Sequence, residues 1–292
     1  MQDKQLHHYC VMGNPIAHSR SPAIHARFAA LTGEPVHYER MLVPIEGFTQ
    51  AVREFAARGG RGCNVTVPFK LEAADCADEK SERVLLAGAA NTLVLHADGR
   101  ISADNTDGLG LVADITRNAR VPLQGRDVLL IGAGGAAAGV LGPLLREKPR
   151  RIVIANRTVQ KAQHLVDTHA AIARDTGTRL EASPLQEIAG DFDIVINGSA
   201  SSLAGAASPV PARVLRNGAL AYDMMYGPAA QGFLDWAVQH GAIARDGLGM
   251  LVEQAAESFA IWRGVRPPAA QVLSELRAEI NAAQGTPPSG KV

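Results

Sequence analysis

The sequence predicts an α/β protein with two sheets, the first mixed and mainly parallel, the second a doubly wound parallel sheet. Three observations carry this. Strand-like runs alternate with helix-length amphipathic segments along nearly the whole chain, the pattern of sheets covered by helices. At 292 residues the chain exceeds the size at which one core usually suffices, so two domains with a cleft between them are expected. The apolar run Val128–Ile131 leads into glycines and then an Ala-rich segment, the signature of a strand turning tightly into a helix.

In order, the first half gives a strand near His8–Gly13, a helix Pro22–Leu31, a strand Val36–Val43, a helix Glu46–Ala57 and a strand Gly62–Val67. The runs Asn91–His96 and Arg100–Asn105, joined by Ala97-Asp98-Gly99, read as a hairpin, so one strand of this sheet must run antiparallel. A helix Gly108–Asn118 then leads to strands Asp127–Ile131, Arg151–Ala155, Phe192–Asn197 and Leu220–Met224 with helical patterns between them. Two last helices, Gly249–Arg263 and Pro267–Ala283, follow the second sheet and are expected to return to the first. The division is therefore 1–107 as a first domain, 108–246 as a second, 247–283 as returning helices, and 284–292, rich in Gly, Pro and Ser, as a flexible tail.

The 29 basic and 29 acidic residues cancel, which removes the charge footprint of a nucleic-acid or membrane-surface binder and favours a small-molecule partner. Cys10, Cys63 and Cys76 show neither CxxC nor zinc-type spacing, so neither a disulfide framework nor a metal site is expected. No signal peptide or spanning segment is legible, and the cytoplasm is the expected location. Oligomeric state is open between monomer and homodimer.

In Gly132-Ala133-Gly134-Gly135-Ala136-Ala137, Gly132 allows the tight turn, Gly134 lets backbone approach a pyrophosphate, and the helix start offers free N–H groups. This is a Rossmann-type dinucleotide fingerprint, with Ala137 at the third glycine position. The next strand ends in Asn156-Arg157-Thr158, where NAD enzymes keep an acid for the ribose 2′-hydroxyl. Arg157 and Lys161 supply cations instead, which suits a 2′-phosphate and favours NADP.

Ser19-Arg20-Ser21-Pro22 reads locally as a helix start with Ser21 as N-cap, yet both serine hydroxyls can also donate to an anion at that helix end. Asn64-Val65-Thr66-Val67-Pro68-Phe69-Lys70 ends one strand and Asn105-Thr106-Asp107-Gly108 ends another, and ligands of open α/β sheets bind beyond such ends. Alone, Lys70 is a surface charge and Asp107 a helix N-cap. Cys63 adjoins Asn64 and is expected near the cleft, with a buried inert thiol as its ordinary fate.

These segments, with Gly88-Ala89-Ala90-Asn91-Thr92 and Asp246 to Ala255, match in order those of shikimate dehydrogenases, which the chain resembles over nearly its whole length. The resemblance implies an N-terminal substrate domain, an NADP-binding Rossmann domain and reversible NADPH-dependent reduction of 3-dehydroshikimate to shikimate in aromatic amino acid (chorismate) biosynthesis. It assigns the catalytic pair to Lys70 and Asp107, carboxylate binders to Ser19 and Ser21, and hydroxyl binders to Thr66, Asn91, Asp107 and Gln254, with Asn64 also at the substrate. Cofactor positions fall on Gly132, Ala133, Gly134, Gly135, Ala136, Asn156, Arg157, Thr158 and Lys161, and around the nicotinamide on Met224, Tyr226 and Gly247. One departure is Asn197-Gly198-Ser199-Ala200, where the family more often has Asn-Ala-Thr/Ser-Ser. The rival readings are a quinate/shikimate dehydrogenase with relaxed substrate or NAD use, a folate-type dehydrogenase and a non-catalytic NADP sensor. Arg157 weighs against the first, the Ser19/Ser21 pair against the second, and the presence of both Lys70 and Asp107 against the third.

Overall fold

The computed structural model describes residues 5–199 and 208–283; the tail and Ala200 lie outside the described residues. The first sheet is built from β1 (His7–Gly13), β2 (Val36–Leu42), β3 (Gly60–Val65), β4 (Glu79–Lys80), β5 (Thr92–Leu95) and β6 (Ile101–Asp104), in spatial order β2-β1-β3-β5-β6-β4. β5 runs antiparallel to both β3 and β6, and the other pairs are parallel, so the sheet is mixed as the hairpin signal predicts. Helices α1 (Ser21–Thr32), α2 (Phe48–Ala57), α3 (Lys70–Asp75) and α4 (Glu82–Ala87) connect these strands.

After α5 (Asp107–Ala113) the second sheet takes β7 (Asp127–Ile131), β8 (Arg151–Asn156), β9 (Arg179–Pro184), β10 (Phe192–Asn197), β11 (Leu215–Asp223) and β12 (Ile243–Arg245), all parallel, in order β12-β11-β10-β7-β8-β9. Numbered from β7 this is 3-2-1-4-5-6, the doubly wound dinucleotide-binding order, with α6 (Gly135–Arg146), α7 (Val159–Thr176) and α8 (Gln231–Gln239) as crossovers. β7 is apolar without alternation because both its faces are covered. Val128 and Leu130 join the cluster under α6 and α7, while Leu129 and Ile131 join the opposite one with Phe192 and Phe233.

Helices α9 (Leu248–Arg263) and α10 (Ala269–Ala283) do return to the first sheet. Leu248, Val252 and Phe259 pack with Ile24 and Phe28 of α1 and with Val272 and Leu276 of α10, and the Trp262 indole N–H donates to the Leu93 carbonyl at 3.0 Å.

Several local expectations are corrected. The strands β4, β9 and β12 carry no readable alternation: β4 has two residues, and β9 and β12 are sheet edges whose outer faces meet water. The helix expected over Gly108–Asn118 starts at Asp107 and finishes as a π-turn, Asp114–Asn118. Ser21 is not the N-cap of α1. Arg20 occupies that position, Ser21 is the first helical residue, and its N–H is taken by the Ser19 hydroxyl oxygen at 3.3 Å. Likewise Asp107 begins α5 after Thr106 and makes no side-chain cap, which leaves its carboxylate for other partners. Cys63 is the buried thiol that its ordinary fate predicts, packed beside Cys10, since alternation in β3 sends Asn64 and not Cys63 to the cleft face.

Candidate active site

The carboxyl ends of the two sheets face a cleft of about 420 Å³ lined from the first sheet by Ser19, Ser21, Asn64, Thr66, Lys70, Asn91 and Asp107, and from the second by Ala136, Met224, Tyr226 and Gly247. Gln254 reaches it from α9. A groove of similar size, about 440 Å³, lies among Arg53, Arg61, His96 and Arg100, but it draws nothing from the second sheet and cannot bring two ligands together.

Lys70 starts α3 and Asp107 starts α5, so each side chain leaves a strand–helix junction at the same end of the first sheet. They meet: the Lys70 ammonium donates to Asp107 Oδ2 at 2.5 Å, with Asp107 buried and Lys70 half-buried at the cleft. The other carboxylate oxygen, Oδ1, accepts from Asn91 Nδ2 at 2.8 Å. Asn91 is held in turn through its own Oδ1, which accepts from the Thr106 N–H at 2.9 Å and the Thr92 hydroxyl at 2.9 Å. The amide of Gln254 is oriented by Nε2 donating to the Leu251 carbonyl at 2.8 Å, which leaves Oε1 facing Asn91 Nδ2 at 3.3 Å. Asn64 donates to Ser258 Oγ at 2.9 Å and accepts from the Tyr38 hydroxyl at 2.7 Å. The substrate-facing groups therefore hold one another in place before any ligand arrives.

Tyr38, Thr92, Thr106 and Ser258 complete this network, and the sequence alone does not mark them. Ser258 carries one signal, its place one turn beyond Gln254 on the same face of α9. Tyr38, on the edge strand β2, carries no signal of its own.

On the second sheet the Gly-rich turn behaves as its sequence requires. Gly132 has φ of 103°, and a side chain there would press within 3.0 Å of the Gly198 carbonyl oxygen. Gly134 and Gly135 face open space at the start of α6, where free N–H groups and the positive end of the helix suit a pyrophosphate, while Ala137 is fully buried against the sheet. The N–H of Gly132 donates to Ala155 O at 2.8 Å, which sets the end of β8 beside the turn. Asn156 Nδ2 donates to the Thr158 carbonyl at 2.8 Å, shaping the turn into α7, and exposed Arg157 and Lys161 make no ion pair among the described residues. These cations and donors fit a phosphorylated dinucleotide. Gly247 is demanded by packing, since a Cβ there would lie 2.3 Å from the Met224 carbonyl oxygen. Burial raises the pKa of the Tyr226 phenol, opposed by the nearby charge of Arg20. A Cβ at Gly198 would lie 2.9 Å from the flexible Met224 sulfur, so an alanine there would need only that side chain to shift.

Fold and cleft together define a two-sheet α/β oxidoreductase with a dinucleotide site on one side and a polar substrate site on the other. Residues 11–93 match the model of the shikimate dehydrogenase substrate binding domain, 114–207 that of shikimate/quinate 5-dehydrogenase, and 247–277 that of the shikimate 5′-dehydrogenase C-terminal domain. A shikimate dehydrogenase (NADP(+)) of Acidovorax sp. (strain JS42) is 72% identical over 274 residues, 94% of this chain and 97% of its own. Among solved structures, an Ael1 enzyme from Pseudomonas putida aligns with a TM-score of 0.86 at 44% identity, covering 92% of this chain and 98% of that one. The shikimate 5-dehydrogenase of Thermus thermophilus in complex with NADP(H) and shikimate aligns at 0.78 and 31%, covering 94% and 99%. The chain belongs to the shikimate dehydrogenase family.

Proposed function

We propose that this chain reversibly reduces 3-dehydroshikimate to shikimate with NADPH, residues 1–107 holding the substrate, 108–246 the dinucleotide, and 247–283 bracing the first domain. The observation that carries this reading is the part-buried Lys70–Asp107 pair at 2.5 Å, opening onto a cleft whose opposite wall is the second sheet. When bound, NADPH supplies a hydride to the C3 carbonyl carbon. Lys70 donates the proton that completes the new hydroxyl, and in the reverse direction takes it back. Asp107 holds the ammonium with Oδ2 and keeps lone pairs for the neighbouring substrate hydroxyl, while Asn91 fixes its Oδ1. Ser19 and Ser21 donate to the substrate carboxylate; neither hydroxyl proton is needed by the α1 cap. Asn64, Thr66, Asn91 and Gln254 read the ring hydroxyls. Gly132, Ala133, Gly134, Gly135 and Ala136 receive the pyrophosphate, Asn156, Arg157, Thr158 and Lys161 the adenosine 2′-phosphate end, and Met224, Tyr226 and Gly247 the nicotinamide.

No helix among the described residues is long and apolar enough to cross a membrane. Three free thiols support a reducing, cytoplasmic setting, and the protein acts as a monomer or homodimer on small molecules alone. The test is a matrix of shikimate and quinate against NADP and NAD, read as nicotinamide absorbance. Turnover with shikimate and NADP supports the assignment; a preference for quinate or NAD replaces it with the broader dehydrogenase reading, and silence in all four cells with the sensor reading.

A further inference from the structure

The charges around the cleft do not balance. Among the described residues Asp107 is the one carboxylate lining it, and Lys70 is already paired with that carboxylate at 2.5 Å. Arg20 lines the same cleft, is exposed to solvent and makes no ion pair among the described residues. Its place is fixed by the chain: it is the N-cap of α1, with Ser19 before it and Ser21 after it, so the positive end of that 12-residue helix opens at the same point. Beside Ser19, Arg40 donates from Nε at 2.9 Å and from Nη2 at 2.6 Å to the Ser19 carbonyl, and it too makes no ion pair among the described residues. Elsewhere the chain pairs its arginines readily, as at Arg27–Glu275, Arg83–Asp104 and Arg277–Asp246. The segment holding the two serines therefore carries positive charge that no protein carboxylate neutralises.

We propose that Arg20 supplies the counter-charge for the substrate carboxylate at the mouth of the cleft. Ser19 and Ser21 give that carboxylate its hydrogen bonds and so its direction, but neutral hydroxyls leave its charge uncompensated, and an anion leaving water without a counter-charge is costly. The guanidinium offsets that cost and draws the anion toward the serines as it enters. Because the cation is exposed, its effect is a few-fold in affinity rather than orders of magnitude, and salt weakens it. Lys70 and Asp107 hold each other independently of Arg20, so the charge bears on binding and not on proton transfer. The inference rests on the assignment of Ser19 and Ser21 as carboxylate ligands made above.

Arg20→Gln tests it, with Arg20→Lys as the variant that keeps the charge. The full chain is assayed with NADP and shikimate at about 0.01 M and about 1 M salt, between which the screening length falls from about 30 Å to about 3 Å. The methyl ester of shikimate, which keeps the hydroxyls and loses the charge, is measured as a competitor of shikimate. At low salt Arg20→Gln should raise KM for shikimate about fivefold with kcat within about twofold, and at high salt the ratio to wild type should shrink below about twofold. Arg20→Lys should stay within about twofold of wild type, and the ester should bind wild type and Arg20→Gln alike. Equal losses for acid and ester, a KM ratio that ignores salt, or a lysine variant as impaired as the glutamine one would each overturn the proposal. So would a rise in KM for NADP in step with that for shikimate, which would place the guanidinium on the dinucleotide instead. Failure of the underlying assignment looks different, because wild type itself would then not turn over shikimate.

Discussion

The two walls of the cleft are made in opposite ways. On the first-sheet wall Asn64, Asn91, Asp107 and Gln254 are each more than nine-tenths buried and bonded to one another or to Tyr38, Thr92, Thr106 and Ser258. On the second-sheet wall Gly134, Gly135 and Ala136 are exposed, as are the cations Arg157 and Lys161. A small, rigid polyhydroxy acid offers little area, so affinity for it depends on donors and acceptors already set at the right angle. A dinucleotide offers two phosphates and a long contact, and backbone N–H groups with a few mobile cations suffice. Substitutions on the first wall should therefore disturb turnover, those on the second wall affinity, and those at the joint between the walls folding itself.

The sharpest way to break that contrast is Lys70→Ala. It removes the proposed proton donor while leaving the glycine turn untouched, so kcat should fall about 10²–10⁴-fold with KM for NADP and shikimate nearly unchanged. Near-normal kcat in a steady-state assay would mean that the ammonium is only a salt-bridge partner. Next in size is Asp114→Ala at the joint. Asp114 is fully buried in the π-turn after α5, where it accepts from the Tyr222 hydroxyl at 2.8 Å and from Arg245 Nε at 2.9 Å and Nη2 at 2.5 Å, tying that turn to β11 and β12. Breaking a buried pair costs about 3–5 kcal/mol, and about 3 is expected because the Arg245 side chain keeps 25% exposure. Denaturant unfolding measures it, and a loss under about 1 kcal/mol would show that Asp114 does not fasten that turn to the second sheet.

The same contrast explains what the sequence reveals. β7 is legible because it is buried on both faces and so reads Val128-Leu129-Leu130-Ile131 without interruption, and Gly132 after it is legible because its positive φ and the nearby Gly198 carbonyl exclude other residues. β9 and β12 are illegible because an edge strand needs no apolar face. The Lys70–Asp107 pair is legible only through the family resemblance: 37 residues separate the two, and nothing local marks either as more than a helix-end charge. Ser21 misleads as a cap for a related reason, since a serine before a proline looks alike whether its oxygen serves the helix or a ligand. Tyr38 is silent because its role comes from what β3 and α1 place around it.

On the second wall, Arg157→Gln should raise KM for NADP about 10–100-fold by removing charge-assisted hydrogen bonds to the 2′-phosphate, with kcat at saturation little changed. KM for NAD, which has no such phosphate, should stay within about twofold. If both cofactors weakened alike, Arg157 would be stacking on the adenine rather than reading the phosphate, and the second wall would be less selective than its charges imply.

The smallest effect expected comes from behind the first wall. His25 is fully buried with neither ring nitrogen hydrogen-bonded, and burial pushes its pKa down to about 3 from the ordinary 6.5. A depressed imidazole pKa means that between those values the unfolded chain binds a proton the folded one does not. Stability from this residue is therefore complete above about pH 6.5 and is lost progressively as pH falls toward 3. Between pH 7 and pH 5.5 the loss is about 1 kcal/mol. His25→Phe keeps an aromatic ring in a box already formed by Phe28, Tyr38, Phe259 and Trp262 and abolishes the titration. Relative to wild type, the variant should gain about 1 kcal/mol on going from pH 7 to pH 5.5 in denaturant unfolding, whatever its stability at neutral pH. His169, also buried and depressed, titrates in both proteins and cancels from the difference. A difference that does not change with pH would place a charge or a water beside His25 and make the back of the first wall wetter than the packing around it allows.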